Sequence, residues 1–259
     1  PVFRLQIPLF VLLAGDSSPM EHRLTMNSRV LTQDMVLPRR PLRLSIDPRF
    51  DLLRKPDPSE LPTSLGRIFG ADQLTIVLPG RAPDRLKAAY KQLADAWSER
   101  QPTIQIRWDD SPKPLPDDTE IWLFGRENRF LDQFSRLLQE KPVSLQSELL
   151  TLHRKDYGLD DHSFALTARA GEQNSTTLGL LVVPSPEAIP RLARKLPHYG
   201  KYSYVVFQGD EAVNVEKGQW QVSESALSVI VTPDGHAPPL RVPELPPLPA
   251  AARSGQPPS

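Results

Sequence analysis

LTIVLPGRAPDRLKAAYKQLADAW, residues 74–97, is the stretch whose reading decides the fold. Its first five residues are an unbroken apolar and β-branched run, short enough for a strand buried on both faces. Pro79-Gly80 ends that run, and Leu86, Tyr90, Leu93 and Trp97 then recur at the spacing of one helical face. A buried strand feeding an amphipathic helix is one βα unit. Moving outward, TIQIRW (103–108) and EIWLF (120–124) read as the next two strands. Gly125 leads into a helix with Phe130, Phe134, Leu137 and Leu138 on its apolar side. Residues 145–152, 163–168 and 177–183 read as three more strands, the last two turned by Asn174-Ser175 as a hairpin. Ser185-Pro186-Glu187 offers a capping hydroxyl, a first-turn proline and an early carboxylate for a helix ending near Leu196-Pro197. Residues 202–207 form the following strand, in which Tyr202 and Tyr204 share one face. This rhythm predicts an α/β fold over residues 69–232, a mixed, mostly parallel sheet covered by helices.

Before it, residues 1–47 read as all-β. FRLQIPLFVLLAG, EHRLTMNSRVL, QDMVLP and PLRLSID are short apolar segments separated by turn-forming residues. Four such strands predict part of a β-sandwich, with the rest ahead of Pro1, and a chain opening on Pro1 reads as a fragment of a longer one. Residues 48–68 are a proline-rich connector with a helical turn near residues 50–54. Residues 233–259 lack apolar periodicity and predict a disordered proline-rich tail, or less simply a ligand for a polyproline-recognising domain.

Composition excludes several function classes. Thirty-one basic and 31 acidic residues cancel, so no global field draws in nucleic acid or an anionic membrane. Cysteine is absent, which removes disulfides, thiol catalysis and cysteine-ligated zinc. The apolar run at residues 7–14 is too short to span a bilayer, is interrupted by Pro8 and lacks a signal peptide's basic flank. No HExxH, GxSxG or GxxxxGK[ST] occurs, and the strand at residues 74–78 is followed by PGRAPDR instead of GxGxxG. That loop is an ordinary strand-to-helix turn, or a weak anion site through Arg81.

The five histidines fall on separate elements. His153 and His162, with Asp156, Asp160 and Asp161, form the one His/Asp cluster in which a metal is conceivable, against the plainer reading of an acidic turn. The densest chemistry lies in LARKLPHYGKYSYVVFQGDEAVNVEKGQW, residues 192–220. Lys195, His198, Tyr199 and Lys201 gather where a helix ends, and Asp210, Glu211 and Asn214 follow the next strand at its carboxyl end. Open α/β sheets bind ligands at such an end, so these seven are the candidate ligand-binding residues for a small anion, peptide or glycan. The basic residues equally suit a helix C-terminus, and the tyrosines a packed layer. No nucleophile lies beside a base, so no catalytic residue is assigned.

PLRLSIDPRFDLLRKPDPSELPTSL (41–65) followed by FGA resembles the region after the catalytic domain in bacterial aminopeptidase N-like zinc metallopeptidases. There a β-sandwich closes with a DP.FD..R phrase, here Asp47-Pro48, Phe50-Asp51 and Arg54. EIWLFGREN (120–128) and KLPHYGKYSYVVFQGDEAVNV (195–215) are similar to the α/β extension of such chains. The resemblance covers most of residues 1–232 and its motifs are structural. It implies a non-catalytic accessory C-terminal region of a larger, periplasmic or envelope-associated hydrolase. The partner would be an upstream catalytic domain of the same polypeptide, and zinc would reside there, with no cofactor in this chain. The family's HExxH and downstream Glu ligands have no counterpart here. The competing expectation is a binding module using the 195–218 edge.

Overall fold

A computed structural model describes residues 3–170, 176–222, 225–238 and 240–242. The chain forms two compact units. One runs to Asp57 and resumes after Val222, and the other is Pro58–Val222. No helix among the described residues is long and apolar enough to cross a membrane.

The first unit is built on one antiparallel sheet of β1 (Leu5–Leu13), β2 (Met20–Met26), β3 (Pro41–Ile46) and β14 (Ser228–Ile230), in the order β14-β3-β1-β2. Leu9, Val11 and Leu13 line one face of β1 and pack with Leu24, Leu44 and Ile46. The expected QDMVLP strand is absent. Its run ends on Pro38, which has no amide to donate to a ladder. Met35 and Leu37 instead lie against the apolar face of the sheet. The apolar residues of that segment serve a loop packed on the sheet. Among its described residues the first unit thus holds a single four-stranded sheet. Its fourth strand comes from residues grouped by sequence with the α/β part, through Val229 opposite Leu44.

At the end of β3 the DP.FD..R phrase closes on itself. Asp47 is fully buried, and its carboxylate accepts the amides of Asp51 (2.7 Å) and Leu52 (3.2 Å) and Nε of Arg54 (2.8 Å). The Arg54 guanidinium lies 5.2 Å from the centre of the Phe50 ring. Asp47 and Phe50 both have positive φ, 51° and 57°. The helical turn expected at residues 50–54 does not form, because Phe50 sits at positive φ, outside the right-handed helical region.

In the second unit the elements are α1 (Leu65–Phe69), β4 (Leu74–Leu78), α2 (Asp84–Ser98), β5 (Ile104–Trp108), β6 (Glu120–Phe124) and α3 (Leu131–Leu137). Then come β7 (Val143–Leu145), β8 (Leu149–Leu152), β9 (Lys155–Gly158), β10 (His162–Ala170), β11 (Thr176–Val182), α4 (Ile189–Lys195), β12 (Tyr204–Gln208) and β13 (Val213–Gly218). Seven strands form a mixed sheet in the order β13-β12-β10-β11-β6-β4-β5. Helix α2 supplies the crossover from β4 to β5 in the βα unit read at residues 74–97.

The expected mostly parallel, helix-covered α/β architecture is overturned. Three neighbouring pairs are parallel (β4–β5, β4–β6, β6–β11), and three are antiparallel (β10–β11, β10–β12, β12–β13). Strand outweighs helix, 34% to 19%, and the described residues form three separate sheets. The reason lies in how the faces are covered. On one face α1, α2 and α4 pack Leu65, Tyr90, Trp97 and Leu192 over Ile76, Trp122, Phe124 and Val205. Gly179 of β11 lets this layer close, since a Cβ there would stand 2.6 Å from both Ile68 and the Trp122 ring. On the other face one short helix, α3, shares the work with the three-stranded sheet β7-β8-β9. Phe134, Leu150, Leu152 and Tyr157 cover Leu123, Phe164, Leu180 and Val206.

Residues 145–152, read as one strand, are parts of β7 and β8. Beyond β8 the chain turns back into β9 at His153-Arg154, both at positive φ (51° and 69°). A two-residue hairpin needs that backbone, but the usual glycine or asparagine marker is missing. The strand after α4 also starts later than expected, at Tyr204. Tyr202 is still in the preceding turn, with its amide on Tyr199 O at 3.0 Å. The two tyrosines therefore pack on opposite sides of the sheet, Tyr202 in the helical layer and Tyr204 in the other. Of the proline-rich tail, Gly235 N bonds Thr232 O (3.1 Å) and the Thr232 hydroxyl bonds His236 O (2.8 Å). Position 239, residues 243–259 and the hairpin turn expected at Asn174-Ser175 lie outside the described residues.

Candidate functional site

The seven sequence candidates separate into two groups at opposite ends of β12. Lys195, Asp210, Glu211 and Asn214 gather at its carboxyl end. Lys195 reaches from the end of α4 and donates through Nζ to the carbonyls of Glu211 and Ala212, both at 2.8 Å. Those carbonyls belong to the turn into β13, where Gly209 and Ala212 have φ of 64° and 50°. Asp210 accepts the Ser185 hydroxyl at 2.6 Å. Glu211 meets Arg191 at 3.1 Å across an exposed pair. Asn214 donates to Val206 O (3.0 Å) and Glu216 O (2.9 Å), satisfying two carbonyls beside the register shift at Val206/Phe207. Each of these side chains holds the β12–β13 hairpin in place.

At the amino end of β12, the Tyr199 and Tyr202 rings sit 5.9 Å apart, and Tyr199 meets Phe207 edge-on at 5.1 Å. Lys201 lies 5.1 Å from the centre of Tyr202, and Lys217 lies 5.6 Å and 5.5 Å from the two rings. This half-buried aromatic patch with two ammonium groups is of the kind stabilised by cation–π attraction. His198 stands exposed on the turn before Tyr199. Sequence reading found Tyr199 and Lys201, but missed Tyr202 and Lys217 as their partners. Lys217 is paired opposite Val205, on the helical face, so the antiparallel return of β13 would have located it.

The His/Asp cluster of residues 153–162 is dispersed. His153 Nε2 lies 2.9 Å from the Tyr204 hydroxyl, and His162 Nδ1 lies 3.0 Å from Gly158 O. Asp156 accepts the Thr151 hydroxyl at 2.7 Å, and Asp161 accepts Gln208 at 2.9 Å. Among the described residues no group of three or more His, Asp or Glu side chains is arranged to hold a metal ion.

Sequence reasoning also missed a cluster that draws in His153. Tyr204 stacks on Trp220 with ring centres 4.6 Å apart, and Tyr157 donates to Glu216 Oε2 at 3.1 Å. Burial, with the nearby Glu216 carboxylate adding to it, raises the hydroxyl pKa of both Tyr204 and Tyr157 above the ordinary tyrosine value. Both phenols are therefore neutral hydrogen-bonding groups near pH 7. Gly218 is paired with Tyr204 across the hairpin, and a Cβ on it would collide with the Tyr204 hydroxyl. The arrangement anchors the β8–β9 hairpin to β12 and presents no ionised nucleophile.

The PGRAPDR loop is fixed by a residue from a neighbouring strand end. Gly80 N donates to Asp109 Oδ1 at 2.8 Å, and Arg129 N donates to Asp109 Oδ2 at 2.8 Å. Asp109, just past β5, is 2% exposed and ties the loops after β4 and β6 together. Nearby, Asn128 Nδ2 bonds Val77 O and Phe124 O at 2.9 and 3.2 Å. No family model and no curated protein matches the chain.

Proposed function

We propose that this chain is the non-catalytic accessory region of a larger metallopeptidase-like hydrolase, with a structural or positioning role. Its partner in this reading is an upstream catalytic domain of the same polypeptide, the place where zinc would be bound. The residues here do not fit that metal, because the chain has neither the HExxH nor a cluster of ligating side chains among its described residues.

The observation that carries the proposal is where apolar surface stays open. Thirteen large hydrophobic side chains are exposed among the described residues, and nine of them belong to the smaller first unit. They include Phe3, Leu5, Val36, Leu53, Val229 and Val231, with Val36 at 101% and Leu53 at 109% exposure. Surface apolar residues are ordinary singly; their concentration in one small unit is what supports a covering partner in this reading. The internal bonding of Lys195, Asp210, Glu211 and Asn214 supports the same reading, since it assigns the most reactive-looking segment to hairpin closure. A ligand-binding edge at residues 195–218 has support only from the Tyr199–Tyr202 patch.

The polypeptide encoded ahead of Pro1 tests this directly. An HExxH followed by a second glutamate ligand is the expected finding, together with aminopeptidase activity that the isolated chain lacks. Aminoacyl-substrate cleavage by the purified chain that survives chelation and repurification would overturn it.

A further inference from the structure

Arg107 and Arg129 bracket one ring on the second unit. Arg107 is the penultimate residue of β5, and Arg129 lies in the loop after β6. Their guanidinium carbons stand 5.9 Å and 4.5 Å from the centre of the Phe130 ring. Consecutive carbonyls hold them: Arg129 Nη2 donates to Lys113 O at 3.0 Å, and Arg107 Nη2 donates to Pro114 O at 2.8 Å. Two cations are thus fixed side by side on one short segment.

Six other cations of this unit are ion-paired. Arg67, Arg85, Lys87, Lys91, Arg126 and Arg191 each face a carboxylate within 4 Å. Arg107 and Arg129 form no such pair among the described residues, and the Asp109 carboxylate, two residues beyond Arg107, receives the Gly80 and Arg129 amides. The Nε of Arg107 is buried with no hydrogen-bond partner. Burial, and the neighbouring Arg129, also hold the Arg107 pKa below the ordinary arginine value. A guanidinium carries five N–H donors in a planar fork, so one carbonyl bond leaves most of each fork available. Uncompensated charge of this kind, on forks that suit tetrahedral oxyanions, calls for an anion.

The location agrees. The chain passes from β4 to β5 on one side and returns across β4 to β6, so the carboxyl ends of β4 and β6 flank the point where the strand order reverses. Asp109 bridges the loops on both sides of that point. Crevices of this type are where open α/β sheets take ligands.

We propose that Arg107 and Arg129, with Phe130 between them, form a binding site for a tetrahedral dianion of the phosphate type. A dianion matches the two unpaired positive charges, whereas a monocarboxylate compensates only one. The site is independent of the accessory-region reading.

Inorganic phosphate is the probe, titrated at constant ionic strength against the chain and followed by thermal unfolding and by NMR of the arginine Nε–H groups. A saturable rise in Tm and shifts confined to Arg107 and Arg129 are expected. Chloride and acetate at the same ionic strength should not reproduce them. Arg129→Gln, at an exposed position that should tolerate the change, should weaken phosphate binding by about tenfold or more. Arg85→Gln, which removes an exposed arginine elsewhere, should leave it unchanged. Wild-type affinity in Arg129→Gln, or an equal and unsaturating response to chloride, would overturn the site. Arg129 is the position to substitute, because Arg107→Gln risks misfolding.

Discussion

The turn after β12 and the loops after β5 and β6 close strand ends at the same edge of the seven-stranded sheet, and both are rich in charge. At the β12 end, Lys195 binds two turn carbonyls, Asp210 binds Ser185, Glu211 pairs with Arg191, and Asn214 fills a bulge. At the other, Asp109 bonds two backbone amides while two arginines beside it lack carboxylate partners. The β12 turn draws attention in sequence because its polar residues are contiguous, yet each of them is taken up by a backbone carbonyl or by a side chain of the preceding helical segment. The β5–β6 loops draw little, because Arg107, Asp109 and Arg129 meet only after the chain has crossed β4. Local density of functional residue types is therefore a poor guide to unsatisfied chemistry.

The largest effect that can break this contrast is removal of Asp109. Asp109→Ala leaves the Gly80 and Arg129 amides without their buried acceptor and releases two loops from each other. Loss of a buried charged acceptor serving two donors should cost about 3 kcal/mol of unfolding free energy, measured by urea denaturation. A cost below about 1 kcal/mol would mean that the loops hold themselves and that no organised crevice exists.

Much of the second unit's strand content was legible because buried strands show as continuous apolar runs, and helix α2 because its apolar face repeats four times. What failed was pairing direction and layer composition. β10 and β11 read as strands, but nothing in their residues fixes β11 beside β6 in parallel. The β8–β9 hairpin escaped because His153-Arg154 adopt a turn backbone that glycine or asparagine usually announces. In the first unit, β14 was hidden by distance, since it pairs with β3 across roughly 180 residues of intervening chain. Of the candidate site, residue types and strand-end position were readable. Partners were not, because Ser185, Arg191 and Lys217 are supplied by tertiary contact and by strand return.

A middle-sized effect should come from Lys195→Ala. Its ammonium group satisfies two carbonyls in a turn where Ala212 is held at positive φ. Losing both bonds should cost about 1.5 kcal/mol, with faster amide exchange concentrated at residues 209–213. Exchange rising evenly over the sheet would show that Lys195 does not act on the turn in particular.

Glu211→Gln should have the smallest effect, and it sharpens the comparison from the opposite side. Glu211 and Arg191 are 3.1 Å apart but exposed, with side-chain accessibilities of 73% and 44%. Water screens such a pair, and ordering two long side chains offsets much of the Coulomb gain. The change should alter stability by less than about 0.5 kcal/mol, and a double-mutant cycle with Arg191→Ala should give a coupling of the same small size. A coupling above about 1 kcal/mol would mean that the β12 edge holds strong, desolvated charge interactions. The two strand ends would then differ in how completely their charges are paired, but not in how much field they carry.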